Sequence, residues 1–399
     1  MRLAALALIC VLAATAPGLG ASTPAKRVAF LVDSWYPVSH ADVIGSRLLQ
    51  GYRMGNQTFA SPVTVATVYE IAPRPDSLAR QIAARHGVRL VTSVADALLD
   101  DQRSAQPRLA VDGVLIMVRT PLPTNTEPDP GQSRLFKETM AVFDRTGSRV
   151  PVFIDKNLAA TWDDSQMMVA EGTRRGVPMM AGSVVPWIPL EPPPPAGRRP
   201  LVAVAVAAAP YHLYAIHVAE LLQGFLETRG AQETGVASVR EVGRGFWTLP
   251  DRDRWGGDVL DALLASARTK NPRAPRVPDG LGQEAYVVLV QYVDGTRGVL
   301  ALVTRVFDDS EFLVGARYEG QATPYLASVI LGGAPYDHFG YLVHGLVQFF
   351  TTGRPVVAAE RTLLSTGISL LGLRSRQSGG QVITGPGLTV SYTVSRPVR

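Results

Sequence analysis

Four consecutive prolines at positions 192–195 interrupt this 399-residue chain near its middle. Each lacks an amide hydrogen and fixes φ, so residues 186–200, which also carry Arg198 and Arg199, cannot continue a helix and read as a stiff, extended boundary. The chain is longer than one typical core supports, so two folding units are expected: residues 26–188, then a linker at 189–200, then residues 201–394. A hydrophobic content of 46 % against 18 % charged residues fits packed cores rather than disorder.

Upstream of the prolines, short apolar runs with β-branched members recur at residues 27–32, 63–69, 111–118 and 150–154. Helical patterns separate them: one through Ile44, Leu48, Leu49 and Tyr52, others at residues 76–86 (closed by Gly87), 94–99 and 135–146. That alternation predicts an α/β unit with a doubly wound parallel sheet. The run Val150, Val152, Phe153, Ile154 stops abruptly at Asp155 and Lys156. In an open α/β sheet ligands bind at the C-terminal ends of strands, which makes Asp155 and Lys156 candidate site residues; the alternative is a solvated strand-end pair. In the helix that follows, Asp163, Asp164 and Glu171 face solvent, Met167, Met168 and Val169 pack inward, and a strand at 178–181 comes next.

The turn after the first strand, Asp33-Ser-Trp-Tyr-Pro-Val-Ser-His40, contains no glycine. A loop whose amides approach a pyrophosphate closely needs glycine, so Trp35 and Tyr36 are expected to narrow the groove there. Ser39 reads as an N-cap, with His40 and Asp42 either reaching the crevice or serving the helix start.

Downstream, an apolar strand at 201–208 leads into a helix marked by Leu213, Ile216, Leu221, Leu222, Phe225 and Leu226 and ended by Gly230. It carries His217 and Glu220. A neutral imidazole suits general-base work near neutral pH, and a packing or hydrogen-bonding histidine is the alternative. Runs at 236–247, 285–292, 298–307 and 312–318, with an Asp294-Gly295 turn, predict an open, mostly antiparallel sheet in an α+β unit. A helix at 337–350 holds His338 and His344 too far apart in phase to chelate one metal, and no metal site is expected.

The N-terminus opens Met-Arg, runs apolar from Leu3 to Ala16 and ends in small residues near Gly20 and Ala21. This predicts a signal peptide over residues 1–21 and a secreted or periplasmic protein; the run is too short for a permanent span. Cys10 is the only cysteine and leaves with it, so a thiol-free mature chain is expected. The net charge of +5 includes no basic cluster suited to nucleic acid.

Several of these segments together resemble the Gfo/Idh/MocA family of sugar and cyclitol oxidoreductases over nearly the whole mature chain. The family has a strand ending in Glu-Lys-Pro where this chain has Asp155-Lys156-Asn157; Glu70 ends a strand where the family places an acid; Thr120-Pro121 matches a Thr-Pro. The resemblance implies a Rossmann-like first domain, an open-sheet second domain, and a small substrate of the carbohydrate or polyol class. It implies Lys156 and His217 as catalytic residues facing one crevice. It implies Glu70, Thr120 and Asp155 as cofactor-binding residues for NAD or NADP, and self-association through the second sheet. Three departures accompany it: no glycine turn, Leu213 where an aspartate precedes the histidine (with Glu220 a possible replacement), and Asn157 for proline. A divergent secreted bacterial branch, similar at residues 39–42, 152–158 and 180–183 and near His217, shares the glycine-free turn. An exported oxidoreductase and a non-catalytic secreted binding or scaffold protein are the two functions left open.

Overall fold

The computed structural model describes residues 24–119, 131–273 and 285–395. The expected signal peptide, Cys10 and Thr120 lie outside the described residues.

The first unit runs β1 (Lys26–Val32), α1 (His40–Gln50), β2 (Tyr52–Met54), β3 (Gln57–Phe59), β4 (Val63–Glu70), α2 (Ala79–His86), β5 (Arg89–Val91), α3 (Val94–Leu98), β6 (Gly113–Met117), α4 (Gln132–Thr146), β7 (Val152–Asp155), α5 (Trp162–Arg174) and β8 (Met179–Gly182). Six of these strands form one parallel sheet in the order β5-β4-β1-β6-β7-β8. Helices cover both faces, so β6 and β7 are buried along their whole length, which is why they read as unbroken apolar runs rather than alternating ones. Three helices begin on hydroxyl caps: Ser39, Ser93 and Thr161 accept the amides of Asp42, Asp96 and Asp164. The strand order reverses direction between β1 and β6, the place where an open sheet leaves a crevice.

The second unit runs β9 (Pro200–Ala207), α6 (Tyr211–Leu226), β10 (Gln232–Glu233), β11 (Val236–Glu241), α7 (Gly257–Ser266), β12 (Tyr286–Tyr292), β13 (Arg297–Leu302), β14 (Glu311–Tyr318), β15 (Tyr325–Ile330), α8 (Phe339–Thr352), α9 (Ala359–Gln377), β16 (Ile383–Thr384) and β17 (Tyr392–Thr393). Its sheet has the order β15-β14-β9-β13-β12-β11-β16. Among the described residues, β9 and β13 pair in parallel and the other neighbours are antiparallel. Asp294-Gly295 makes the β12–β13 turn, where Asp294 accepts the Thr296 amide. The run at 236–247 is a strand only to Glu241, because residues 243–248 coil into a 3-10 turn that buries Phe246. With α7, whose Val259, Leu260 and Leu263 face inward, that turn covers the outer side of the sheet. The proline linker runs along edge strand β15, with Glu191 bridged to Ser328 and the Tyr325 hydroxyl donating to the Pro192 carbonyl at 2.6 Å.

Although α8 and α9 follow the second sheet in sequence, both pack back on the first unit. Phe350 of α8 rests on Gly113 of β6, where no side chain fits, and the Tyr52 hydroxyl meets His344 at 2.9 Å. Thr366 of α9 accepts the Leu158 amide at 3.3 Å. One continuous apolar core therefore joins the two sheets and fixes the strand ends of the first against α6 of the second.

Candidate functional site

The crevice takes shape at the end of β7. Asp155 is 1 % exposed and its two carboxylate oxygens are divided: one meets His40 Nδ1 at 2.9 Å, the other Lys156 Nζ at 3.0 Å. Burial alone would push this carboxyl up, but the charge and hydrogen bonds of His40 and Lys156 hold it well below the usual carboxylate range. Lys156 takes φ +61°, left-handed backbone that a side chain adopts only under external constraint. The constraints are visible: the Lys156 amide donates to the Gly182 carbonyl at 3.2 Å, and Gln132, fully buried at the start of α4, donates to the carbonyls of Asp155 and Asn157 at 3.3 and 2.6 Å.

From the opposite side α6 brings His217, whose Nδ1 lies 2.6 Å from the Ser183 hydroxyl. That hydroxyl also accepts the Val185 amide at 3.1 Å, which fixes its orientation. Burial first, then the positive charge of Lys156 and the neighbouring His40, push His217 down to about 3, so it is neutral at physiological pH. Burial also lowers His40, and Asp155 opposes that shift through charge and hydrogen bond. His40, Asp155, Lys156 and His217 line one cavity of about 260 Å³, walled by Tyr36, Met117, Leu213 and Tyr214. This is below the roughly 300–1,000 Å³ of pockets for drug-sized ligands, so it suits one small molecule.

Lys156, Asp155 and His217, singled out from the sequence, thus meet in one pocket. Glu220 does not support His217. It is fully buried, its nearest cation is Arg361 at 3.5 Å, and Ser183 is the side chain bonded to the imidazole. Sequence reading assigned no role to Ser183 or Gln132; a hydroxyl directly after a strand-ending Gly182 was the available signal for the first. Trp35 does not narrow the groove. It is completely buried, stacked on Phe30 at 5.3 Å and fitted against Gly45 of α1, because a glycine there leaves the helix surface open to an indole. Tyr36 does line the pocket, with the Arg74 guanidinium 4.1 Å from its ring centre.

A dinucleotide on such a sheet lays its diphosphate on the amides between β1 and α1. Here five of those amides are already used. The Ser34 amide donates to Asp33, that of Trp35 to Glu70, that of Val38 to Asp42, that of Ser39 to the Tyr36 carbonyl and that of Asp42 to the Ser39 hydroxyl. Three carboxylates, Asp33 in the loop, Asp42 on α1 and Glu70 at the end of β4, surround the place where a dianion would need positive potential. Glu70 Oε1 also accepts from the hydroxyls of Ser34 and Ser77, at 3.0 and 2.8 Å. The residues present do not fit a dinucleotide diphosphate. A second hollow of about 620 Å³, lined by Glu70, Arg74, Ser77 and Arg80, has no lining residue in common with the first, and Tyr36 and Arg74 stack between them.

No family model and no curated protein matches the sequence. Solved structures do. A probable dehydrogenase from Thermotoga maritima aligns over 90 % of this chain and 98 % of its own, with TM-score 0.56 and 13 % identity. Myo-inositol 2-dehydrogenase from Lactobacillus plantarum aligns over 90 % and 99 %, with TM-score 0.55 and 10 % identity. Scyllo-inositol dehydrogenase from Lactobacillus casei, with bound NAD(H) and scyllo-inositol, aligns over 90 % and 99 %, with TM-score 0.53 and 10 % identity. At such identities the likeness is one of architecture, and the architecture is that of the Gfo/Idh/MocA-type dehydrogenases.

Proposed function

We propose that this chain is an exported relative of the sugar and polyol dehydrogenases whose crevice binds one small polyhydroxylated molecule and moves a proton on it. One observation carries the reading: an ammonium, two neutral imidazoles and a buried carboxylate converge on a cavity sized for a single small ligand. Lys156 donates to a ligand oxygen and stabilises negative charge there. Asp155 holds Lys156 and His40 in place, and Ser183 holds His217. No step is assigned to a nicotinamide, because five amides of the diphosphate loop are taken by the chain's own acceptors and three carboxylates stand around it. That same closure favours the second reading, a binding protein without turnover. Self-association through the second sheet belongs to the proposal as well; with α7 over the outer face and the linker along β15, sedimentation velocity on the mature protein reads it. Calorimetric titration with monosaccharides, cyclitols and sugar acids tests the main reading. A ligand bound by the wild type and lost in Lys156→Ala supports it, and binding that ignores Lys156 overturns it. Conversion of the bound ligand separates enzyme from binding protein.

A further inference from the structure

Two histidines face the cavity, and their surroundings differ in a way that assigns them different tasks. We infer that His40, rather than His217, is the proton acceptor of this site, and that it takes the proton from the carbon beside the carbonyl of a hydroxy-carbonyl sugar. The inference rests on the reading of the pocket as a small polyhydroxylated-ligand site and names its substrate class.

The argument is geometric. His40 Nδ1 lies 2.9 Å from a buried carboxylate, Asp155, which fixes the ring with its Nδ1 proton toward the acid and leaves Nε2 as the basic nitrogen. A proton gained at Nε2 creates an imidazolium already paired with an anion, the arrangement that lets a carboxylate orient a base and stabilise its charged form. Among the described residues His217 Nδ1 meets the neutral Ser183 hydroxyl, and no anion among them lies in contact with a proton gained there. The groups facing His40 are Asp155 and Lys156 at the end of β7, Asp33 after β1, His217 on α6, and His338 and Phe339 at the start of α8, the last with its ring 5.0 Å away. Asp155 is the anion in hydrogen-bond contact with the ring.

The glycine-free loop explains how His40 comes to be there. Where a glycine turn would let a diphosphate settle, Val38 takes φ +66°, Ser39 caps α1 and the first helical residue places its imidazole against Asp155. The step needs no carrier. The C–H bond breaks, its electron pair forms the carbon–carbon double bond of an enediolate, the former carbonyl oxygen takes the negative charge beside the Lys156 ammonium, and His40 Nε2 holds the proton. Passage of the adjacent hydroxyl's proton to the former carbonyl oxygen, with return of the abstracted proton to the former carbonyl carbon, gives the isomeric carbonyl sugar. Return of that proton to the carbon it left gives the starting compound or its epimer.

Exchange with solvent tests this before any product is known. Aldoses and ketoses that bind are incubated with the protein in deuterium oxide, and loss of the α-hydrogen signal is followed by proton NMR. Exchange by the wild type that falls about 100-fold or more in His40→Gln, while His217→Gln still exchanges measurably, is the expected result. Exchange that persists in His40→Gln overturns the assignment. So does its absence from every hydroxy-carbonyl sugar whose binding depends on Lys156, and that outcome leaves the binding reading standing. A histidine-ring NMR titration gives a check independent of turnover and of any variant's folding: His40 is expected to take up its proton at higher pH than His217, and the reverse order overturns the assignment.

Discussion

The carboxylate of Glu70 accepts the amide of Trp35 at 2.7 Å, across 35 residues of chain. An acid at the end of β4 is where a dinucleotide fold holds a ribose diol; here one of its oxygens ties down the β1–α1 loop from below, through that amide and two serine hydroxyls. With five of the loop amides satisfied internally and three carboxylates around them, NAD and NADP are expected to give no saturable heat up to about 1 mM, the concentration at which even a bond of about 4 kcal/mol would register. Mass spectrometry of the denatured protein is expected to release neither nucleotide. A stoichiometric dinucleotide would show that the loop opens.

Arg361 supplies the second expectation. It is 3 % exposed and stands 3.5 Å from Glu220 and 3.6 Å from Glu227, two carboxyls that burial pushes up and Arg361 pulls back down. Removing one partner of a buried ionic cluster strands the others, so Arg361→Ala is expected to cost about 3–5 kcal/mol in urea unfolding. Losses below about 1 kcal/mol would mean that the two glutamates are held as neutral acids.

The sheet and the strand ends were legible because buried parallel strands announce themselves as unbroken apolar runs and a strand-ending charge marks the crevice; the meeting of Lys156 with His217 followed only from the family resemblance, since no local pattern pairs a strand end with a distant helix. Trp35 lies in the core rather than in the groove for a reason that the sequence does contain: Gly45, ten residues on, opens one helix face to an indole, but only once α1 is laid on β1 does that matter. Helix α7 carries Val259, Leu260, Leu263 and Leu264 at helical spacing, a signal that the sequence also contains. The return of α8 to the first sheet was not legible at all, since nothing local in Phe339 or Phe350 distinguishes one apolar partner from another. The sequence leaves His40 open between the crevice and the helix start; its contact with Asp155 spans 115 positions, a pairing that local pattern cannot reveal.

Acid should destabilise the fold partly through His217. Its folded pKa of about 3 lies below the roughly 6.5 of an unfolded histidine, so the unfolded chain takes up a proton that the folded one refuses. Stability is therefore expected to fall as pH drops from about 6.5 toward 3, and His338, pushed down to about 4, adds to the slope. Urea midpoints at pH 7, 5 and 4 check this. The wild type should lose more than His217→Gln over that range, and parallel slopes would place the imidazole in ordinary solvent.

The proposed export predicts a chemical difference in the mature chain. Cys10 is the sole cysteine and precedes the small residues near Ala21. Protein recovered from outside the cytoplasm and unfolded in denaturant should take up no thiol reagent, and one equivalent of adduct would mean that the leader is retained.

Lys156 separates the cost of a conformation from the value of a side chain. Its φ of +61° is left-handed, where a Cβ crowds the following carbonyl and costs about 1–2 kcal/mol, whereas glycine adopts it freely. Lys156→Ala and Lys156→Gly both delete the ammonium and its contact with Asp155, so the difference between them isolates the backbone. Lys156→Gly is expected to be about 1 kcal/mol more stable than Lys156→Ala in urea unfolding, with both having lost ligand binding. Equal midpoints would mean that the segment between β7 and α5 relaxes when the lysine leaves. The strain would then be maintained by the Lys156–Asp155 contact rather than by the Gln132 and Gly182 tethers. Retained binding in either variant would remove Lys156 from the site's chemistry and leave it a strand-end charge.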